Sequence, residues 1–82
     1  MDKEQIFTIV KKNIVEIVPE LATRSIAITD SLRELGANSI DRAEILISSM
    51  SELQLNVPLA DFGEAKNIEE LVSILAKKME TK

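Results

Sequence analysis

The run Asp30-Ser31-Leu32-Arg33-Glu34-Leu35-Gly36-Ala37-Asn38-Ser39-Ile40-Asp41-Arg42-Ala43-Glu44 decides the fold. It holds one stop and one start. Ser31 and Glu34 have the spacing of a capping box, which predicts a short turn of helix. Gly36 ends that turn, because glycine takes the left-handed conformation without steric cost. Asn38-Ser39 then opens a longer helix. Either side chain can accept from the orphan N–H groups of a first turn, and Asp41 suits the positive end of the helix dipole. Helical spacing of apolar residues continues to about Gln54.

On the N-terminal side, residues 19–37 break the helical period and form a long loop, which needs apolar anchors; Ile26, Ile28, Leu32 and Leu35 can supply them. Before it, Ile6, Ile9, Val10, Ile14, Ile17 and Val18 follow the i, i+3, i+4 rule of a core-facing helix that stops ahead of Pro19. On the C-terminal side, Val57-Pro58 closes a link and Leu59 to Gly63 reads as a short helical segment. Asn67 with Glu70 caps a last helix whose apolar face is Ile68, Leu71, Val72, Leu75 and Met79. No strand-period run interrupts the pattern. The expectation is an all-α four-helix bundle spanning residues 1–82 as a single domain, with a short third helix and a long loop between the first two.

Composition narrows the function. Among 82 residues there is no Cys, His, Trp or Tyr. Ser-His-Asp and Cys-His enzymes and Cys/His zinc sites are therefore excluded. No carboxylate pair is placed in an evident cleft, so neither catalytic nor metal-ligating residues are assigned. Asp61-Phe62-Gly63 echoes a kinase motif by coincidence, since the other kinase parts are absent. A net charge of −4 and only two aromatic residues argue against nucleic acid. No apolar stretch could span a membrane and the N-terminus lacks a signal-peptide pattern, so a cytoplasmic location is expected.

Residues 30 to 64 carry seven acids and two bases, while the flanking segments are near neutral. Such a cluster is either an ordinary solvated surface or a docking face for basic partners. The helix from Ser39 is also apolar on two sides. At about 100° per residue from Ile40, Ile45, Leu46, Ser49 and Leu53 occupy an arc of roughly 140–240°. Ile40, Ala43, Ile47 and Met50 occupy another of roughly 280–360°. The second strip is either exposed for partners or covered because the helix is central. Ser39 itself reads as a cap, or as a hydroxyl to which another enzyme attaches a phosphate ester at a helix N-terminus.

The quoted run resembles the signature of acyl carrier proteins in Leu35-Gly36, Ser39, Ile40, Asp41 and Glu44, and length, acidity and helix order agree over nearly the whole chain. The resemblance implies a 4′-phosphopantetheine esterified to Ser39 by a phosphopantetheinyl transferase from coenzyme A. Its thiol would hold acyl groups as thioesters, and the protein would be a carrier and not an enzyme. Partners would read the second helix through Asp41, Glu44, Ile40, Ala43 and Ile47. Asn38 stands where aspartate is usual in the family; it keeps the capping role and removes a charge. The run Gly36 to Glu44 is most similar to stand-alone carriers of bacterial polyketide β-branching cassettes. Those hold malonyl and then acetyl groups, and work with an acyltransferase, a ketosynthase-like decarboxylase and a hydroxymethylglutaryl-synthase-like (HMG-synthase-like) enzyme. Arg42 and Met50 would be specificity positions, and a monomer is expected of a mobile carrier. The competing expectations are a fatty-acid carrier and an unmodified acidic helical adaptor.

Overall fold

A computed structural model describes residues 2–80. Met1, Thr81 and Lys82, the ends of the expected 1–82 unit, lie outside the described residues. Three α-helices carry the architecture: α1 (Lys3–Ile17), α2 (Ser39–Leu53) and α3 (Ile68–Glu80). No strand occurs among the described residues.

Each helix begins where its first residues dictate. Asp2 and Gln5 form a reciprocal capping box at α1, with Gln5 N–H donating to Asp2 Oδ1 at 2.9 Å and Asp2 N–H to Gln5 Oε1 at 3.1 Å. Pro19 stops α1 and enters a 3₁₀ turn, Pro19–Thr23, that the periodicity did not predict. At α3, Glu70 N–H donates to Asn67 Oδ1 at 2.9 Å. The long loop completes that cap: Ile68 and Glu69 N–H donate to the carbonyls of Asp30 and Ile28 at 2.9 and 2.8 Å. Loop and last helix are thus joined at the point where α3 has orphan donors.

The segment expected as a short third helix is a four-residue 3₁₀ turn, Leu59–Phe62. Between Pro58 and Gly63 there is length for one turn, and 3₁₀ geometry serves such short pieces. Phe62 is buried there, as a core residue.

One apolar core unites these elements. Ile6, Val10, Ile14, Ile45, Ile68, Val72 and Leu75 are fully buried. The expected loop anchors Ile26, Leu32 and Leu35 reach the same core, and Ile28 packs against it half-buried. Two polar side chains sit inside. Asn13 Nδ2 donates to the Ile9 carbonyl at 2.9 Å and to Ser49 Oγ at 3.3 Å, linking α1 to α2. We expect Ser49→Ala to lower stability by about 1 kcal/mol. Asn13→Ala should cost more, because it also leaves a cavity beside Ser49. Urea unfolding midpoints of the two variants check this.

At the surface, Lys12 Nζ pairs with Glu52 at 2.6 Å, again between α1 and α2. The hydrogen bond to Glu52 holds the Lys12 ammonium above its ordinary pKa. A raised lysine pKa contributes below the unfolded value and is lost only as pH rises through the folded one, so this link persists throughout neutral pH.

Candidate functional site

The site is built by the turn that leads into α2. Leu35 N–H donates to the Ser31 carbonyl at 2.9 Å, Gly36 N–H to Arg33 at 3.1 Å and Ala37 N–H to Leu32 at 3.0 Å. Leu32, Leu35 and Ala37 are buried beneath these bonds. Gly36 has φ +102°, which a side chain would strain. The expected helical turn therefore exists as one tight turn, pinned to the core on its apolar side. The Ser31–Glu34 box is replaced by backbone bonds, the Ser31 carbonyl being the acceptor.

Asn38 takes the cap. Its Oδ1 accepts from Asp41 N–H at 2.8 Å, and its carbonyl accepts from Arg42 N–H at 2.9 Å. Of the two residues that could cap, Asn38 does so, and Ser39 becomes the first residue of α2. Ser39 is exposed and its hydroxyl makes no hydrogen bond among the described residues. The N–H groups of Ser39 and Ile40 have no intrahelical acceptor, so they and the dipole leave a positive end beside the hydroxyl. We expect Asn38→Ala to cost about 0.5–2 kcal/mol and Asn38→Asp to retain the parent stability, read from thermal melts.

Along α2 the two apolar arcs have different fates. Ile45, Leu46, Ser49 and Leu53 are buried. Ile40 is 68% exposed and Ile47 is 54% exposed, with Ala43 half-buried near them. Met50 departs from the expectation that it belongs to the outer strip: it is 7% exposed and part of the core. At roughly 280° it lies next to Leu46 at about 240°, so the inner packing extends over it. The acids also divide. Glu52 is held by Lys12, whereas Asp41 and Glu44 make no ion pair among the described residues. Ile40, Asp41, Ala43, Glu44 and Ile47 therefore form one open face just beyond Ser39.

Ser39 and Ala43 also line an open cleft of about 850 Å³. Leu32, Leu46, Phe62 and Leu71 contribute to its lining, along with Arg33, Arg42 and Lys66. Sequence reasoning gave no role to Arg33, inside the run 30–44, or to Lys66, outside it. The signal available for Arg33 was that residues 30–64 hold only two bases; none pointed to Lys66.

The fold is a small helical bundle with the exposed Ser39 hydroxyl at the head of α2. The family model for the phosphopantetheine attachment site matches residues 12–75. The chain is 41% identical, over 99% of its length and 99% of the relative's, to the polyketide biosynthesis acyl-carrier protein AcpK of Bacillus subtilis. It is also similar to a chain in the crystal structure of the curacin biosynthetic pathway HMG synthase in complex with acetyl donor-ACP. The likeness there has a TM-score of 0.90 and 46% identity, covering 95% of this chain and 100% of that one. The protein belongs to the acyl carrier proteins of the phosphopantetheine-attachment family. Its cofactor is a covalently attached 4′-phosphopantetheine, which supplies the thiol on which acyl groups are carried. The residues present fit that group: an exposed hydroxyl and backbone donors without intrahelical acceptors suit a phosphodiester. No helix among the described residues is long and apolar enough to cross a membrane.

Proposed function

We propose that Ser39 bears the phosphopantetheine and that the chain is the acetyl donor of a polyketide β-branching cassette. The observation that carries this reading is the exposed Ser39 hydroxyl at the head of α2, in a chain alike over nearly its full length to one bound by an HMG synthase as acetyl donor. Attachment forms a bond from Ser39 Oγ to phosphorus as the pyrophosphate of coenzyme A breaks and the nucleotide half leaves. On this reading the phosphopantetheinyl transferase supplies the base that takes the hydroxyl proton. Asn38 and the pinned turn fix where the hydroxyl stands. The open face of Ile40, Asp41, Ala43, Glu44 and Ile47 meets the partners, with Asn38 at its head and Arg42 turned toward the cleft. Those partners are the transferase, an acyltransferase that loads malonyl, a ketosynthase-like decarboxylase that leaves acetyl, and an HMG-synthase-like enzyme that takes it. The carrier performs no catalysis, acts as a monomer and works in the cytoplasm.

The test is intact mass after incubation with coenzyme A and a broad-specificity transferase, followed by loading with malonyl, acetyl and long-chain donors. A gain of one phosphopantetheinyl group, with malonyl and acetyl accepted and long chains refused, is expected. Support of long-chain elongation would make the protein a fatty-acid carrier. No gain, on either the parent or Asn38→Asp, would make it an unmodified acidic adaptor.

A further inference from the structure

Residues 30–64 contain seven acids and only two bases, yet both bases, Arg33 and Arg42, line the cleft beside Ser39. Lys66 joins them from the link ahead of α3, and Glu34 is the one acid in the lining. None of the three cations makes an ion pair among the described residues. Arg42 is half-buried, three residues from Ser39 and so on the same side of α2. Buried Leu32, Leu46 and Phe62 also line the cleft. An apolar floor with a cationic rim suits a short chain that ends in an anion. It does not suit a long hydrocarbon, which needs an enclosed apolar cavity.

We propose that this cleft receives the acyl end of the arm on Ser39, and that Arg33, Arg42 and Lys66 hold the free carboxylate of a malonyl thioester there. The inference rests on the reading of Ser39 as attachment point and of malonyl as first cargo. Loss of carbon dioxide breaks the bond from the α-carbon to the carboxylate. The electron pair stays on the α-carbon, which takes a proton and becomes the acetyl methyl. The anion that the cations held is then gone, and the neutral acetyl end leaves the cleft. The charged precursor is kept against the carrier, and the finished donor is released to its acceptor enzyme. Screened contacts of this kind are each worth a factor of about 1.4 to 5, so three together favour the docked malonyl form over acetyl by roughly 3- to 100-fold.

The experiment uses ¹⁵N-labelled protein charged by a transferase with coenzyme A analogues whose thioester is replaced by an amide. Unacylated, acetyl and malonyl arms are compared by backbone amide shifts. The malonyl arm should move the resonances of residues 31–34 and 65–67, and about 1 M salt should reverse the movement. Arg33→Gln with Lys66→Gln, which leaves Arg42 alone, should sharply reduce it, and Arg33→Lys with Lys66→Arg should keep it. Equal movement with the acetyl or unacylated arm would overturn the proposal, since the cleft would then be binding the phosphodiester or pantetheine part. No movement with the malonyl arm would overturn it alone, whereas a protein that gains no mass on charging would bring down the reading of Ser39 as well.

Discussion

Ser39→Ala is expected to take no phosphopantetheinyl group from coenzyme A while unfolding within about 0.5 kcal/mol of the parent. The loss is complete because the hydroxyl oxygen is the atom that bonds to phosphorus, and alanine offers none. The neighbouring hydroxyls do not replace it: Ser31 lies in the turn before α2 and Ser48 and Ser49 lie about three turns further along the helix. Stability is spared for a reason the sequence left open. A serine at a helix start reads as a cap, whose removal costs about 0.5–2 kcal/mol. Here Asn38 Oδ1 takes the Asp41 N–H at 2.8 Å, and Ser39 is an exposed first residue with no side-chain bond. Alanine at that position has good helix propensity and disturbs no contact. Intact mass and urea unfolding of the same sample separate the two effects. A variant that loses the arm and also unfolds easily would make Ser39 a structural residue first.

The division between what was legible and what was not follows the range of the interactions. Helices α1 and α3 were legible because each shows an apolar stripe with one local boundary signal: Pro19 after α1 and Asn67 ahead of α3. The Asp2 cap of α1 was not read from the sequence. The loop anchors were legible because isolated Ile and Leu residues in a polar stretch have only a core to go to. The identity of the cap was not legible, since Asn38 and Ser39 are both good caps and only the path of the chain out of Gly36 chooses between them. The fate of Met50 was not legible either. Its place on α2 lies between the two arcs, and coverage there depends on the elements packed around the helix. The cleft cations are the furthest case: Arg33, Arg42 and Lys66 come from a loop, α2 and the link before α3, and only the tertiary fold, including the bonds of Ile68 and Glu69 to the loop carbonyls, puts them in one cleft.

The second large effect is expected from Asp41→Lys with Glu44→Lys. Transfer of the acetyl group to an HMG-synthase-like partner should fall at least tenfold in kcat/KM, by about the factor that complementary charge adds to association. Each reversal changes the local charge by two units, and the two together carry the net charge from −4 to zero. The loss should therefore shrink as salt is added and shorten the Debye length. Glu20→Lys with Glu80→Lys is the control. It makes the same change in net charge at exposed positions outside α2, and should leave transfer nearly intact. The expected cost in stability is small and has one source. Asp41 sits in the first turn of α2, where a carboxylate is worth about 0.3–1 kcal/mol against the dipole and a lysine is unfavourable. Glu44 is exposed and unpaired, so its reversal breaks no bond. Melting temperature should thus fall by only a few degrees, too little to unfold the carrier during the assay. Ile40 and Ile47 remain in place in this variant, so any transfer left at high salt measures what the apolar strip contributes without the acids. Unchanged transfer at low salt would mean that Asp41 and Glu44 are solvated surface only, and that the strip by itself is what partners grip.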